Sequence, residues 1–286
     1  MGAKYSSTIR TIGYVPRLTP TDVSVDTRYS EIRYTEGDDF STLEPLKYWG
    51  DIIASGILPS QVKLLGLNGG TITAFEYRIA LALGAYVAVV RDSGGEAAKL
   101  LMDDDWSTSK MLLCLPADVM TIRTFIRWGS STLTPDTRET IAKAIHDHYR
   151  YIRRGDAPSR DPSMAPWGKL PKHLRESSRQ QAEHNFEKLH QLGYTVHKIK
   201  DRDIRLMTFP EDEVELMAEM EHGRWNVERL LDGWTLGERR DVIKKSSPYL
   251  VGWSELPDDV KSWDRELVRK MPEFLAKVGL EIRRQS

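Results

Sequence analysis

Two kinds of residue cluster in this sequence could do chemistry: glycine-rich bends, and one helix that carries rings and positive charge. The stretch LLGLNGGTITAFEYRIAL places Gly66, Gly69, Gly70 and Thr71 where an apolar run gives way to a helical pattern. VVRDSGGEAAKLL does the same with Ser93, Gly94 and Gly95. Glycine at such a bend tolerates positive φ and lets a ligand approach the backbone. The first amides of the following helix are unpaired donors at the positive end of its dipole, which favours phosphate. Two such bends on neighbouring strands would suit a diphosphate or a nucleotide. Neither bend has the Gly-x-Gly-x-x-Gly spacing of a dinucleotide site or the lysine of a Walker loop. A tight turn demanded by the fold alone therefore stays open as the alternative.

The second cluster is HGRWNVERLLDGWTLGERRD, residues 222–241. At 100° per residue, Leu216, Met220, Gly223, Val227 and Leu231 form an apolar stripe, and His222, Trp225 and Arg229 fall opposite it. Trp234 and Arg240 follow in the next turn. Such a group can stack a base, worth roughly 1–3 kcal/mol, and an arginine can hold phosphate through two parallel hydrogen bonds. The alternative is structural: the tryptophans pack between helices and His222 bonds a loop. A similar trio, His146, Tyr149 and Arg153, stands in IHDHYRYIRR.

Signatures of catalysis are sparse. There is no His-Glu-x-x-His, Cys-x-x-Cys or Gly-x-Ser-x-Gly. His146 and His148 are two apart and diverge on a helix, so no metal site is expected. Glu76, after the first glycine bend, and Asp92, before the second, are the acid/base candidates. Either is equally at home as a salt-bridged surface residue. MDDDW (102–106) suits a solvated helix end.

The elements that must position these residues divide in two. With 286 residues, about two domains are expected. From 62 to 127, short apolar strands alternate with helices, which implies a parallel sheet with covered faces. TLEPLKYWGDIIASG before it has Leu43, Leu46, Trp49 and Ile53 at helical spacing, with Gly56 to end the helix. From Thr134 onward, helices dominate, at about 135–154, 174–192, 210–231 and 257–278. PWGKLPKHLRESSRQQAEHNFEKLHQLGYTV aligns without gaps on GWSELPDDVKSWDRELVRKMPEFLAKVGLEI, 86 residues later, pairing Trp167 with Trp253, Arg179 with Arg265 and Gly193 with Gly279. The expected architecture is an α/β Rossmannoid domain over 1–132 and a mostly α-helical domain over 133–286. The latter comprises two pseudosymmetric halves, about 133–200 and 201–286.

Composition narrows the partners. The net charge of -1 gives no basic field for bulk nucleic-acid binding. No apolar run nears the ~20 residues that span a bilayer, so no membrane association is expected. The start, MGAKYSSTIR, has no signal-peptide core and only loosely fits a myristoylation pattern. The single cysteine, Cys114, lies in an apolar run and suits a reducing, cytoplasmic setting.

Residues 219–282 resemble the ryanodine-receptor repeat (RyR) domain. The resemblance is carried by His222, Trp225, Gly233-Trp234, Gly237, Arg240-Asp241, Pro248, Leu250-Val251, Leu256-Pro257 and Gly279. The earlier half, from His146 to Val196, extends it but lacks the Gly-Trp-x-x-Gly turn. Residues 40–130 resemble the SLOG superfamily, related to melastatin-channel nucleotide-sensing domains and Lonely-Guy-like enzymes, through GLNGG and DSGGEAAKLL. Asp92 and Lys99 depart from that pattern, and the Pro-Gly-Gly-x-Gly-Thr motif of the enzymes is missing. These resemblances imply a prokaryotic or phage sensor of a nucleotide-derived signal, ADP-ribose-like or cyclic. No cofactor is implied beyond that ligand. Gly69, Gly70, Thr71, Ser93, Gly94 and Gly95 would form one candidate site, and His222, Trp225, Arg229, Trp234 and Arg240 the other. Binding would alter contacts between domains or between copies in a homo-oligomer. A nucleotide hydrolase using Glu76, or a protein-binding adaptor, is the alternative.

Overall fold

The computed structural model describes residues 9–19, 23–129, 133–155, 161–199 and 206–285. The amino-terminal Met-Gly pattern and residues 130–132, where the two domains were expected to join, lie outside them. The chain packs as two compact units, residues 1–114 and 115–286.

The first unit opens with two parallel strands, β1 (Ile12–Pro16) and β2 (Glu31–Thr35), and a helix, α1 (Leu43–Ala54). An α/β series follows: β3 (Lys63–Gly66), α2 (Thr71–Leu83), β4 (Tyr86–Val90), α3 (Gly95–Leu100) and β5 (Leu112–Leu115). β4 is the middle strand, parallel to β3. Val87, Ala88 and Val89 on β4 are fully buried, as an apolar strand covered on both faces must be. This is the parallel-sheet layer expected of the sequence, and it is compatible with a Rossmannoid domain.

Helix α1 departs from its expected face. Trp49 is buried, but Leu43, Leu46 and Ile53 are exposed. Tyr48 and Ile52 pack on the core in their place. The buried face is thus rotated by about one residue, because Tyr48 is drawn inward by its hydrogen bond to Glu76 on α2. Cys114 is half-buried rather than enclosed.

The second unit begins with α4 (Val119–Arg127), where the Asp118 carboxylate caps the helix by accepting from Thr121 N at 2.7 Å. The helices α5 (Pro135–Ile152), α6 (Lys172–Gln191) and α7 (Glu211–Leu231) follow, with β6 (Tyr194–Lys198) after α6. Two short strands, β7 (Thr235–Leu236) and β8 (Ser246–Ser247), precede α8 (Asp258–Arg269), α9 (Met271–Ala276) and β9 (Leu280–Arg284). The helix expected over 257–278 is therefore two, broken at Lys270, ahead of Pro272 in the first turn of α9. β6 and β9 pair antiparallel, with Val196 opposite Ile282.

Helix α7 is the axis of this unit. The sequence pattern gives it one apolar stripe and a free opposite side. Met220, Gly223 and Val227 are buried as expected, but so are Glu221, His222, Arg224 and Asn226. The helix is enclosed because α4, α6 and α8 all pack against it. Helix α4, placed with the first domain by the sequence, packs in the second unit on α7. The crossing depends on Gly223: a Cβ there would meet Met120 C at 2.6 Å and Thr121 N at 2.8 Å. Both are backbone atoms and cannot rotate away.

Gly223→Ala is expected to destabilise the protein by about 1–3 kcal/mol through overpacking. Gly50→Ala in α1, with nothing within 4 Å of the added methyl, should be neutral or stabilising by up to about 1 kcal/mol. Urea denaturation of both variants checks this; equal effects would contradict the assigned crossing.

Candidate functional site

Four helices each turn one strip of side chains toward a common cavity of about 270 Å³ in the second unit. Helix α5 contributes His146, Tyr149 and Arg153, and α6 contributes Leu174, Ser177, Ser178 and Gln181. From α7 come Glu221, His222, Trp225 and Arg229, and from α8 Val260, Trp263, Asp264 and Leu267. Each strip recurs at three- or four-residue intervals, with an adjacent pair in those of α6, α7 and α8, which puts its residues on one helix face. Trp234, Arg240 and Tyr249 complete the lining from the segment between α7 and α8. The five residues of the sequence-named helical cluster thus meet at one place, joined by the earlier trio His146, Tyr149 and Arg153.

Rings and guanidiniums are interleaved on the walls. The Arg229 guanidinium lies 5.1 Å from the Trp234 ring centre and 5.7 Å from that of Trp225. Arg153 lies 4.3 Å over Trp263. Trp225 in turn stacks on His222, with centroids 5.8 Å apart and an interplanar angle of 19°. Arg240 pairs with Asp161 at 3.2 Å. Arg229 has only a long 3.8 Å approach to Glu228. The Nε of Arg153 is buried with no hydrogen-bond partner among the described residues. A buried donor without a partner costs about 1–3 kcal/mol, which the guanidinium's position over Trp263 offsets in part.

The two histidines act as clips for loops. His222 donates from Nε2 to Val251 O at 2.8 Å, and His146 from Nε2 to Ala165 O at 2.8 Å. Burial lowers the pKa of both rings, more than the carbonyl bond raises it. They stay neutral and do not supply positive charge for an anion. Beside them, Glu139 accepts from Trp167 Nε1 at 3.0 Å and from Arg179 Nε at 2.7 Å. Glu215 accepts from Trp253 Nε1 at 2.9 Å and from Arg265 Nε at 2.6 Å.

Behind the cavity lies a buried ion cluster. Glu221, 1% exposed, accepts from Lys188 Nζ at 2.8 Å and Arg224 Nε at 2.7 Å. Arg224 continues to Glu228 at 2.7 Å, which accepts from Ser177 Oγ at 2.6 Å. Burial alone would raise the Glu221 pKa; the attraction of Arg224 and Lys188 outweighs it and holds the carboxyl well below its usual range.

Asp264 has the opposite fate. It lines the cavity, yet no described residue hydrogen-bonds its carboxyl. Burial, reinforced by the Glu221 charge, pushes it up to about 8. It keeps some contact with the open space of the cavity, but protein surrounds it on every other side. Sequence reasoning did not single out Asp264, nor Trp263, because their roles depend on which face α8 turns inward. The repeat alignment was the available signal: it places them opposite Ser178 and Ser177, which line the cavity from α6.

The glycine bends of the first unit meet each other. Glu96 N donates to Gly69 O at 3.1 Å, Ala97 N to Asn68 O at 3.0 Å, and Asn68 N to Ser93 Oγ at 3.2 Å. Gly95, at φ 54°, has no room for a side chain, since a Cβ would lie 2.6 Å from Gly69 O. Two of the first amides of α3, expected to be free for phosphate, are therefore spent on the first bend, which also explains the glycine. At the start of α2, Gly70 has open space around it, and Thr71 is exposed. Glu76 accepts from Tyr48 Oη at 2.7 Å. Asp92 is exposed, at φ 58°. Among the described residues no group of carboxylates, histidines and cysteine could hold a metal.

Residues 199–284 match the family model of the RyR domain. The match spans α7, α8, α9 and β9, and so takes in His222, Trp225, Arg229, Trp234, Arg240 and Asp264. No helix among the described residues is long and apolar enough to cross a membrane.

A carboxyl at about 3.8 in the unfolded chain and about 8 in the folded one binds its proton more tightly when folded. Its contribution is intact below about pH 4, and stability is lost as pH rises from there to about 8. Asp264→Asn should flatten that slope and raise stability at pH 7.5 relative to the wild type, because an amide takes up no proton on folding. Denaturation at pH 5 and pH 7.5 checks this; a variant less stable at both would show Asp264 to be a structural anchor.

Proposed function

We propose that the helical unit binds a small nucleotide-derived anion in this cavity, and that the protein is a sensor or carrier of that ligand. One observation carries the reading: Arg153 and Arg229, neither with a close carboxylate partner among the described residues, lie over indoles that line one concave space. Indoles stack bases, and guanidiniums bind phosphate in two-point geometry. A cavity of about 270 Å³ is at the lower edge of the ~300–1,000 Å³ usual for ligand pockets. That size favours a single nucleoside monophosphate unit, linear or cyclic. A ligand of ADP-ribose type would need the β7–β8 segment to move, because Arg240 and Trp234 wall that side.

The same reading makes the helical unit two halves related by a repeat, offset by 76 residues between α5 and α7 and by 86 in the stretch that follows. Its support is the matched set of contacts around Glu139 and Glu215, the matched loop bonds of His146 and His222, and the pairing of Val196 with Ile282. The cavity would then lie between equivalent faces. The α/β unit, read as SLOG-like, keeps Gly70 and Thr71 as a weaker second candidate, with Ser93, Gly94 and Gly95 engaged in holding the bends together. A hydrolase reading has less support, since the Glu76 carboxylate is bonded to Tyr48.

Calorimetric titration with AMP, cyclic AMP and ADP-ribose tests the proposal. A monophosphate is expected to bind, and Trp225→Ala to weaken it about 5- to 150-fold, the loss of one stacked base at 1–3 kcal/mol. Arg229→Ala should weaken the phosphate-bearing ligand more than adenosine. Absence of binding by every member at millimolar concentration would rule the cavity out as a nucleotide site.

A further inference from the structure

We propose that Asp264 is the specificity-determining residue of the cavity: it admits the ligand's uncharged end, excludes a second negative charge there, and binds in company with a proton. The proposal rests on the nucleotide-binding reading and adds the orientation and proton linkage of the bound ligand.

The geometry sets the constraint. Asp264 and the guanidiniums of Arg153, Arg229 and Arg240 line the same space of about 270 Å³, so a ligand phosphate held by those guanidiniums shares that space with the Asp264 carboxyl. Two like charges about 7 Å apart, at an effective dielectric of ~20, repel enough to change affinity by roughly 10- to 100-fold. A phosphate at the guanidiniums and an ionised Asp264 therefore exclude each other. The carboxyl has no hydrogen bond from a described residue to hold it ionised. The charges nearest it are those of the Glu221 cluster, and Lys188 and Arg224 are already committed to Glu221 itself.

The other groups facing this space do not take over the proton. His146 on α5 and His222 on α7 are kept neutral by burial, which outweighs the opposite pull of their loop carbonyls. The guanidiniums of Arg153, Arg229 and Arg240 keep their charge throughout. Asp264, poised near pH 8, is thus the group that titrates. In its acid form it offers a donor and an acceptor to an uncharged ring edge or hydroxyl. The other half places Ser178 at the repeat-equivalent position, which is small, uncharged and indifferent to pH. The charge asymmetry makes the two ends of the cavity unlike.

The test is the affinity for AMP between pH 7 and 9.5, with adenosine as the uncharged probe, for the wild type, Asp264→Asn and Asp264→Ser. AMP is already a dianion over this range, so its own titration does not enter. The expected result is a 10- to 100-fold loss of AMP affinity as pH rises in the wild type. The loss should be much smaller for adenosine and absent in both variants. Calorimetry of the wild type at pH 8 in two buffers of different ionisation enthalpy should show net proton uptake on AMP binding, which needs no variant. If AMP binds with the same pH profile in wild type and variants, or without proton uptake, the role of Asp264 is overturned while the cavity stands. If neither AMP nor adenosine binds at any pH, both readings fall.

Discussion

The helical unit depends on keeping a carboxylate charged where there is almost no water. Glu221 is central on α7, and its charge survives because Lys188 on α6 and Arg224 on α7 donate to it. Removing one partner from such a buried set typically costs several kcal/mol, because the remaining charge is left uncompensated. The cluster therefore ties α6 to α7 and fixes one wall of the cavity. Burial makes Asp264 on α8 unfavourable to ionise, and the Glu221 charge adds to it. One buried carboxylate thus holds the scaffold and reinforces the neutrality of a second carboxyl that no described residue hydrogen-bonds. Similar residues take opposite protonation states a short distance apart, and the difference lies in the partners each was given.

Much of this was legible in the sequence, for local reasons. Thr134 caps α5 by accepting from Thr137 N with Pro135 in the first helical position, and Gly84, at φ 88°, ends α2; such starts and stops are set by neighbouring residues. The apolar texture of β4 announced a covered strand. His222, Trp225, Arg229, Trp234 and Arg240 line one cavity, and their proximity could be read because helical spacing and a short return of the chain decide it. What could not be read was the burial of α7 on all sides. Glu221 and Arg224 sit inside because they pair with each other, and Asn226 because its amide donates to Thr121 Oγ1 and Val251 O. Periodicity counts polar residues as outward and misses such a helix. Asp264 was missed for the same reason, and the α1 face because a single Tyr48–Glu76 bond turns it.

The two glycine bends show how one sequence signal serves two purposes. Glycines at strand-to-helix turns are needed for phosphate approach, and equally for one backbone to lie against another. Gly95 is accounted for by the second: it makes room for Gly69 O. Donors occupied by a neighbouring carbonyl are no longer an anion site, so the balance between the two candidate sites moves to the helical unit. There Arg153 and Arg229, unlike the α3 amides, have no close carboxylate or carbonyl partner among the described residues.

The ladder between β6 and β9 has a bearing on how the protein can be divided. β6 follows α6 and β9 follows α9, and the two pair with each other across more than 80 residues of chain. The stretch that matches the RyR family ends on β9 but begins after β6. Cut free, it would carry an unpaired strand edge of Leu280–Arg284, and exposed edges recruit further strands. A polypeptide trimmed to the recognisable domain would thus be prone to self-association, and the unrecognised stretch before it is what keeps that edge closed.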